Sequence, residues 1–243
     1  SAQKPEAVIE ATAAAMRGSY ANVHRGLHAL ANEATQAYED TRSAVARFIN
    51  APAPENIVFT KSGTHAINII ANGIEIEAGD EIVLSVMEHH SNIVPWHFLR
   101  ERKGAVLKWL DIDDDGGIDL AALDALITPR TKIVALTHMS NVLGARTPAV
   151  EIVAIAHAKG VPVLLDGCQA AVHGRVDVAA LDVDFYAFTG HKLYGPTGIG
   201  ALYGKRERLA ALAPFEGGGE MIDIVERERV TYNDPPHRFE AGT

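Results

Sequence analysis

The chain has 243 residues, 47% hydrophobic and 22% charged, with a mean hydropathy of +0.02, which describes a globular protein with enough chain for a sizeable core. A formal net charge of −9 argues against a nucleic-acid binder, which would carry a basic stripe. One cysteine excludes an internal disulfide, no apolar run approaches transmembrane length, and the start lacks a signal-peptide pattern, so a reducing, cytoplasmic setting away from membranes is expected.

Residues 5–16 carry Val8, Ile9, Thr12 and Met16 at helical spacing, with Pro5 suited to a first turn and Gly18 as a stop. The next stretch, 20–28, has no clean periodicity and holds His24 and His28. A second helix is predicted over about 32–50, with Ala34, Tyr38, Val45, Phe48 and Ile49 on its buried side and Pro52 and Pro54 closing it. Strand-like runs follow at 57–60, 81–86, 106–110, 133–137, 161–165, 183–188 and 199–203. Helical patterns at 64–72, 94–103, 120–127 and 149–159 alternate with the earlier of these strands. Such alternation predicts an α/β fold with a mostly parallel sheet covered on both faces. Three regions are expected: a helical arm at 1–50, a large domain at 51–204, and a charged, Gly-rich stretch at 205–243.

In such folds ligands sit beyond the carboxyl ends of the strands. After the first strand comes Lys61-Ser62-Gly63-Thr64 at a helix start. Free amide N–H groups, a hydroxyl and the helix dipole suit a phosphate there, although Ser and Thr are also ordinary N-caps. After the second comes Glu88-His89-His90-Ser91-Asn92. Paired histidines suggest zinc, but no Cys or His partners stand at metal-ligand spacing, so no metal is expected. An imidazole that stacks on a flat ligand or shuttles a proton is one reading, and a buried structural histidine is the other. Asn141, in the segment after 133–137, is explained equally well by a turn.

Asp166 ends a fully apolar strand, where a carboxylate is costly unless it meets a cation or donors. Magnesium would need a second carboxylate, and none stands nearby; a protonated ring nitrogen is the alternative. The last loop packs a hydroxyl, an imidazole and an amine into four residues, Thr189, His191 and Lys192. A solvated surface lysine is the plain reading of Lys192 alone. One βα-type crossover separates Asp166 from Lys192, which places acid and amine on neighbouring strand ends.

An amine for a Schiff base, a carboxylate for a pyridinium nitrogen, a stacking imidazole and a phosphate cup together describe a pyridoxal phosphate site. The runs Asp166-Gly-Cys-Gln-Ala, Thr189-Gly-His-Lys-Leu-Tyr-Gly-Pro-Thr-Gly and Glu88-His-His-Ser-Asn-Ile-Val-Pro-Trp resemble the Suf-type cysteine desulfurases and selenocysteine lyases of the class V aminotransferase group. Arg25-Gly-Leu-His-Ala-Leu, Ser140-Asn-Val-Leu-Gly and Arg238-Phe-Glu-Ala-Gly-Thr fit the same pattern, and the likeness covers essentially the whole chain.

The resemblance implies the three-layer α/β/α large domain of a fold-type I pyridoxal-phosphate-dependent transferase. It implies that Lys192 carries the cofactor and moves protons at the substrate Cα, and that Asp166 pairs with the ring nitrogen. Gln169 would bond the ring's phenolic oxygen, and His89 would stack on the ring and serve in acid–base steps. Thr64, Thr189 and His191, with Gly63 beside them, would hold the phosphate; Thr243 would reach the phosphate of a partner subunit. Asn141 would sit by the ring and the substrate carboxylate, and His28 near the substrate pocket. The implied reaction takes L-cysteine or L-selenocysteine to alanine, leaving an enzyme-bound persulfide for iron–sulfur cluster assembly, in a homodimer that serves a sulfur-acceptor protein.

Two departures from the pattern stand out. Gly63 replaces a second Thr of many relatives, and the chain lacks the N-terminal strand and the small domain with its nucleophilic cysteine and carboxylate-clamping arginine. The chain is therefore expected to be truncated, and Cys168, where relatives often have Ala, is expected to be a packed small side chain. Another class V reaction, or a non-catalytic cofactor-binding fragment, is the alternative reading.

Overall fold

The computed structural model describes every residue except Ser1, Arg25 and Thr243. In chain order the elements are α1 (Glu6–Gly18), α2 (Ala29–Phe48), β1 (Ile57–Thr60), α3 (Gly63–Gly73), β2 (Glu81–Ser85), α4 (Val94–Lys103), β3 (Val106–Leu110), α5 (Leu120–Leu126) and β4 (Thr131–Thr137). They continue with α6 (Ala149–Ala158), β5 (Val163–Asp166), α7 (Ala170–His173), α8 (Val178–Leu181), β6 (Phe185–Thr189), β7 (Gly200–Gly204), α9 (Arg206–Ala211), β8 (Ile222–Val225) and β9 (Val230–Tyr232).

Seven strands make one sheet in the order β1-β7-β6-β5-β4-β2-β3. Only β7 is reversed, antiparallel to both β1 and β6; the pairings from β6 across to β3 are parallel. Side chains alternate between the two faces. Val83, Val134, Leu136, Val163 and Leu165 pack with Leu123 of α5 and Ile152 of α6 on one side. Ile82, Leu84, Ile133, Ala135 and Leu164 pack with Ile67 of α3 and Trp96 of α4 on the other. Both faces of the central strands are apolar because both are covered, which makes the three layers.

The bounds of β1, β3 and α4 coincide with those read from the sequence. Helix α2 starts earlier than predicted because His28 caps it, its Nδ1 accepting from Ala31 N at 3.3 Å. Of the residues predicted on the buried side of α2, Ile49 is fully buried and Ala34, Tyr38 and Val45 are partly buried, but Phe48 is a correction at 50% exposed, whereas Arg42 is only 1% exposed. Arg42 earns that place by bonding Glu39, Glu240 and the carbonyl of Ile57. Helix α1 forms where expected but buries no residue. The stretch 205–243 shows little pattern in sequence, yet it holds α9, the β8–β9 hairpin and a return segment whose Phe239 is buried. Among the described residues no helix is long and apolar enough to cross a membrane.

Candidate functional site

The carboxyl ends of β1, β2, β5 and β6 open onto one cavity of about 190 Å³. Its floor is the start of α3, where Ser62 caps the helix by accepting from His65 N at 3.1 Å. Gly63 and Thr64 follow on the cavity wall. An ideal Cβ on residue 63 would lie 2.5 Å from Cys168 Sγ, so the thiol already occupies the space that a larger side chain would need.

Asp166, at the end of β5, is 4% exposed, and its Oδ1 accepts from Cys168 N at 3.0 Å. The neighbouring Gly167 lies against the ring of Tyr186, where any Cβ would collide. Burial, then the Asp166 carboxylate, pushes the Cys168 thiol well above the ordinary thiol range. Cys168 is buried on the cavity wall, as expected of a packed small side chain.

β6 lies beside β5 in parallel and delivers Thr189, then the single turn Gly190–Lys192. Lys192 is half-buried on the cavity wall with Asp166. Thr189 is 4% exposed, and its Oγ1 has no hydrogen-bond partner among the described residues. An unpaired buried hydroxyl is costly, and a water or a ligand oxygen in the cavity would satisfy it. Burial, then the Lys192 charge, holds the His191 imidazole below its ordinary value.

His89 is exposed and also lines the cavity. Its backbone is set by the residue before it. Glu88 is 7% exposed and accepts from Thr137 N at 2.9 Å and Asn92 Nδ2 at 2.7 Å, as well as from Ser85 Oγ. Burial pushes the Glu88 carboxyl up to about 7, against those hydrogen bonds. Asn92 also accepts from Trp96 Nε1 at 3.0 Å, so the turn that bears His89 is pinned to β4 and α4.

The arrangement brings together a half-buried amine, a buried carboxylate, an orphaned hydroxyl and a helix N-terminus around a small polar cavity. Over its whole length, 1–243, the chain matches the model of the Aminotransferase class-V family. The chain belongs to the class-V aminotransferases.

A cysteine desulfurase of Cronobacter sakazakii is 53% identical over 247 residues, spanning 100% of this chain and 61% of its own length. The solved cysteine desulfurase CsdA of Escherichia coli, in its S-sulfonic acid form, superposes with a TM-score of 0.91 at 46% identity, covering 99% of this chain and 61% of that one. A mutant of C-DES with glycine covalently linked to its PLP cofactor gives a TM-score of 0.85 at 28% identity, covering 99% of this chain and 64% of that one. The chain therefore spans about three fifths of the length of such relatives.

In this chain the predicted residues Gly63, Thr64, His89, Asp166, Thr189, His191 and Lys192 all line the one cavity. Three others do not. Asn141 is exposed in the loop after β4, Gln169 is half-buried at the start of α7, and His28 is exposed at the cap of α2. Thr243 lies outside the described residues. Reading the motifs missed the wall residues Ser62 and Ser91, and gave Glu88 no role. Ser62 was legible as a cap before Gly63; nothing local marks Glu88, whose partner Thr137 belongs to another strand. Among the described residues no group of three or more His, Cys, Asp or Glu is placed to hold a metal ion.

Proposed function

We propose that the chain is the cofactor-binding part of a pyridoxal-phosphate-dependent cysteine desulfurase. The observation that carries this reading is the orphaned Thr189 hydroxyl, buried in the same cavity as the α3 N-terminus, Asp166 and Lys192. Thr189 Oγ1, Thr64 and the first amides of α3 would hold a phosphate, with the helix dipole favouring its charge. The buried Asp166 carboxylate would hold the ring nitrogen protonated, since a cation beside it offsets its own burial. His89 offers a flat ring at the rim for stacking. Lys192 would hold the cofactor covalently and move the proton at the substrate Cα. When bound, pyridoxal phosphate supplies an electron sink for bonds breaking at the amino acid.

Relatives named cysteine desulfurase support L-cysteine as the substrate. In the proposed reading L-selenocysteine is the other substrate, and sulfur would pass to an enzyme cysteine and then to an acceptor protein for iron–sulfur cluster assembly. Cys168 is not that nucleophile, because it is buried and its thiol is held protonated. A homodimer in the cytoplasm, with Thr243 reaching a partner's phosphate, completes the proposal.

The test is reconstitution with pyridoxal phosphate, borohydride reduction and peptide mapping. The adduct should fall on Lys192, and Asp166→Ala should weaken retention by about tenfold or more, a shift of roughly 1.4 kcal/mol. An adduct on Lys61 or Lys205 would overturn the site. Steady alanine production from cysteine by this chain, abolished by Cys168→Ser, would overturn the role given to Cys168.

A further inference from the structure

Ser91 makes two contacts to a single atom. Its backbone N–H donates to His89 Nδ1 at 3.1 Å, and its hydroxyl lies 2.8 Å from that same nitrogen. A backbone N–H only donates, so Nδ1 must present its lone pair. With Nδ1 an acceptor, the neutral imidazole carries its proton on Nε2, and the Ser91 hydroxyl joins as a second donor. Had Nδ1 borne hydrogen, it would face the Ser91 amide proton directly.

We propose that Ser91 is a positioning residue that fixes His89 in the Nε2–H tautomer and holds its ring at the cavity rim. The turn His90–Asn92 that carries Ser91 does not drift, because Asn92 is fully buried and tied to Glu88, Ala135 O and Trp96. Glu88 in turn takes the amide of Thr137 on β4. This chain of bonds runs from the sheet core to the His89 ring and leaves the ring one preferred orientation. His89 is consequently a hydrogen-bond donor at Nε2. The consequence for chemistry rests on the proposed reading of the cavity, in which His89 faces a planar ligand. The tautomer itself does not, so the two fail separately.

The experiment is two-bond proton–nitrogen correlation NMR on the imidazole rings of the ¹⁵N-labelled 243-residue chain, at a pH where histidines are neutral. The His89 signals are assigned by their loss in His89→Gln. The wild-type chain should show an unprotonated Nδ1 and a protonated Nε2 at His89. Ser91→Ala keeps the amide and should keep the Nε2–H form, because a hydroxyl donates to a bare Nδ1 or accepts from Nδ1–H alike and so selects neither tautomer. Ser91→Pro removes the amide donor, and the share of the Nδ1–H form should rise about twofold to tenfold, the worth of one ordinary hydrogen bond. Ser91→Thr also keeps the amide and should match wild type, and the other histidines should be unchanged in all three variants. A general loosening of the fold would instead move many histidines together, which would overturn the specific role. A wild-type spectrum with hydrogen on Nδ1 would overturn the proposal without any variant, and so would a Pro variant whose tautomer ratio equals that of wild type.

Discussion

An ideal Cβ at residue 63 would lie 2.5 Å from Cys168 Sγ, closer than real contacts allow. Gly63→Ala must therefore push the thiol or the start of α3 aside, at a cost of about 1–3 kcal/mol. Cys168→Ala removes the obstacle, so the double variant should recover most of that loss in urea-denaturation midpoints. Strict additivity of the two single changes would show that the contact is not the cause. His138 makes a prediction of another kind. It is 8% exposed with Nδ1 3.0 Å from the Tyr186 hydroxyl, and burial, then the Arg146 charge, pushes its imidazole down to about 4. In the unfolded chain an imidazole titrates near about 6.5, so on acidification the unfolded state binds the proton first. Stability from this group is whole above about 6.5 and is lost as the pH falls through about 4, up to roughly 3 kcal/mol. His138→Gln should lose that part of the acid sensitivity; an unchanged acid profile would assign it to other groups.

At the scale of elements, one buried cation joins three parts of the chain. Arg42 of α2 donates through Nη1 and Nη2 to the two oxygens of Glu240, at 2.6 and 2.9 Å, and through Nη1 to Ile57 O of β1 at 2.7 Å. Its guanidinium lies 4.7 Å from the Phe59 ring centre, and Glu240 also accepts from Phe59 N at 2.6 Å. Arg42→Leu would leave Glu240 buried without its cation, at a cost of about 3–5 kcal/mol. Arg42→Lys should rescue little, since an ammonium lacks the two-pronged fork. Limited proteolysis should cut the segment around Glu240 faster in Arg42→Leu, and an unchanged cutting rate would show that the clamp does not hold it. None of this was visible in sequence, where Arg42 reads as one charge on a helix face. Elements long enough to show a full period were legible, β3 and α4 to the residue. The four-residue helices α7 and α8 were not, because four residues carry no period to read.

Across the whole molecule, the candidate site and a buried charge cluster lie at opposite ends of β6. Thr189 closes β6 at the cavity, while Asp184 precedes its first residue at the far end. Asp184 is 1% exposed and accepts from Val163 N at 2.8 Å and Arg208 Nε at 2.8 Å, with His157 Nε2 at 2.7 Å. Asp184→Ala should cost about 1–3 kcal/mol, chiefly by leaving the buried Val163 N–H without an acceptor, yet leave pyridoxal phosphate retention unchanged at temperatures where the variant stays folded. Thermal melting and a cofactor titration check the two halves; a parallel loss of affinity would show that the two ends are coupled.

The residues alone determined the alternation of strands and helices, and with it the strand ends where chemistry collects. Both follow from local periods of two and 3.6 residues and from turn residues, and every local signal is written in consecutive positions. Tertiary structure decided which strand ends meet. The order β1-β7-β6-β5-β4-β2-β3, with β7 reversed, places β6 between β5 and β7, so Asp166 and Lys192 share a wall. The exposed Asn141, from the loop after β4, lies away from that wall. It also buried Arg42, left Thr189 Oγ1 without a partner, and brought the Glu88 carboxylate to the amide of Thr137. Such pairings join residues far apart in the chain, and they become favourable only once the sheet has brought both partners out of water.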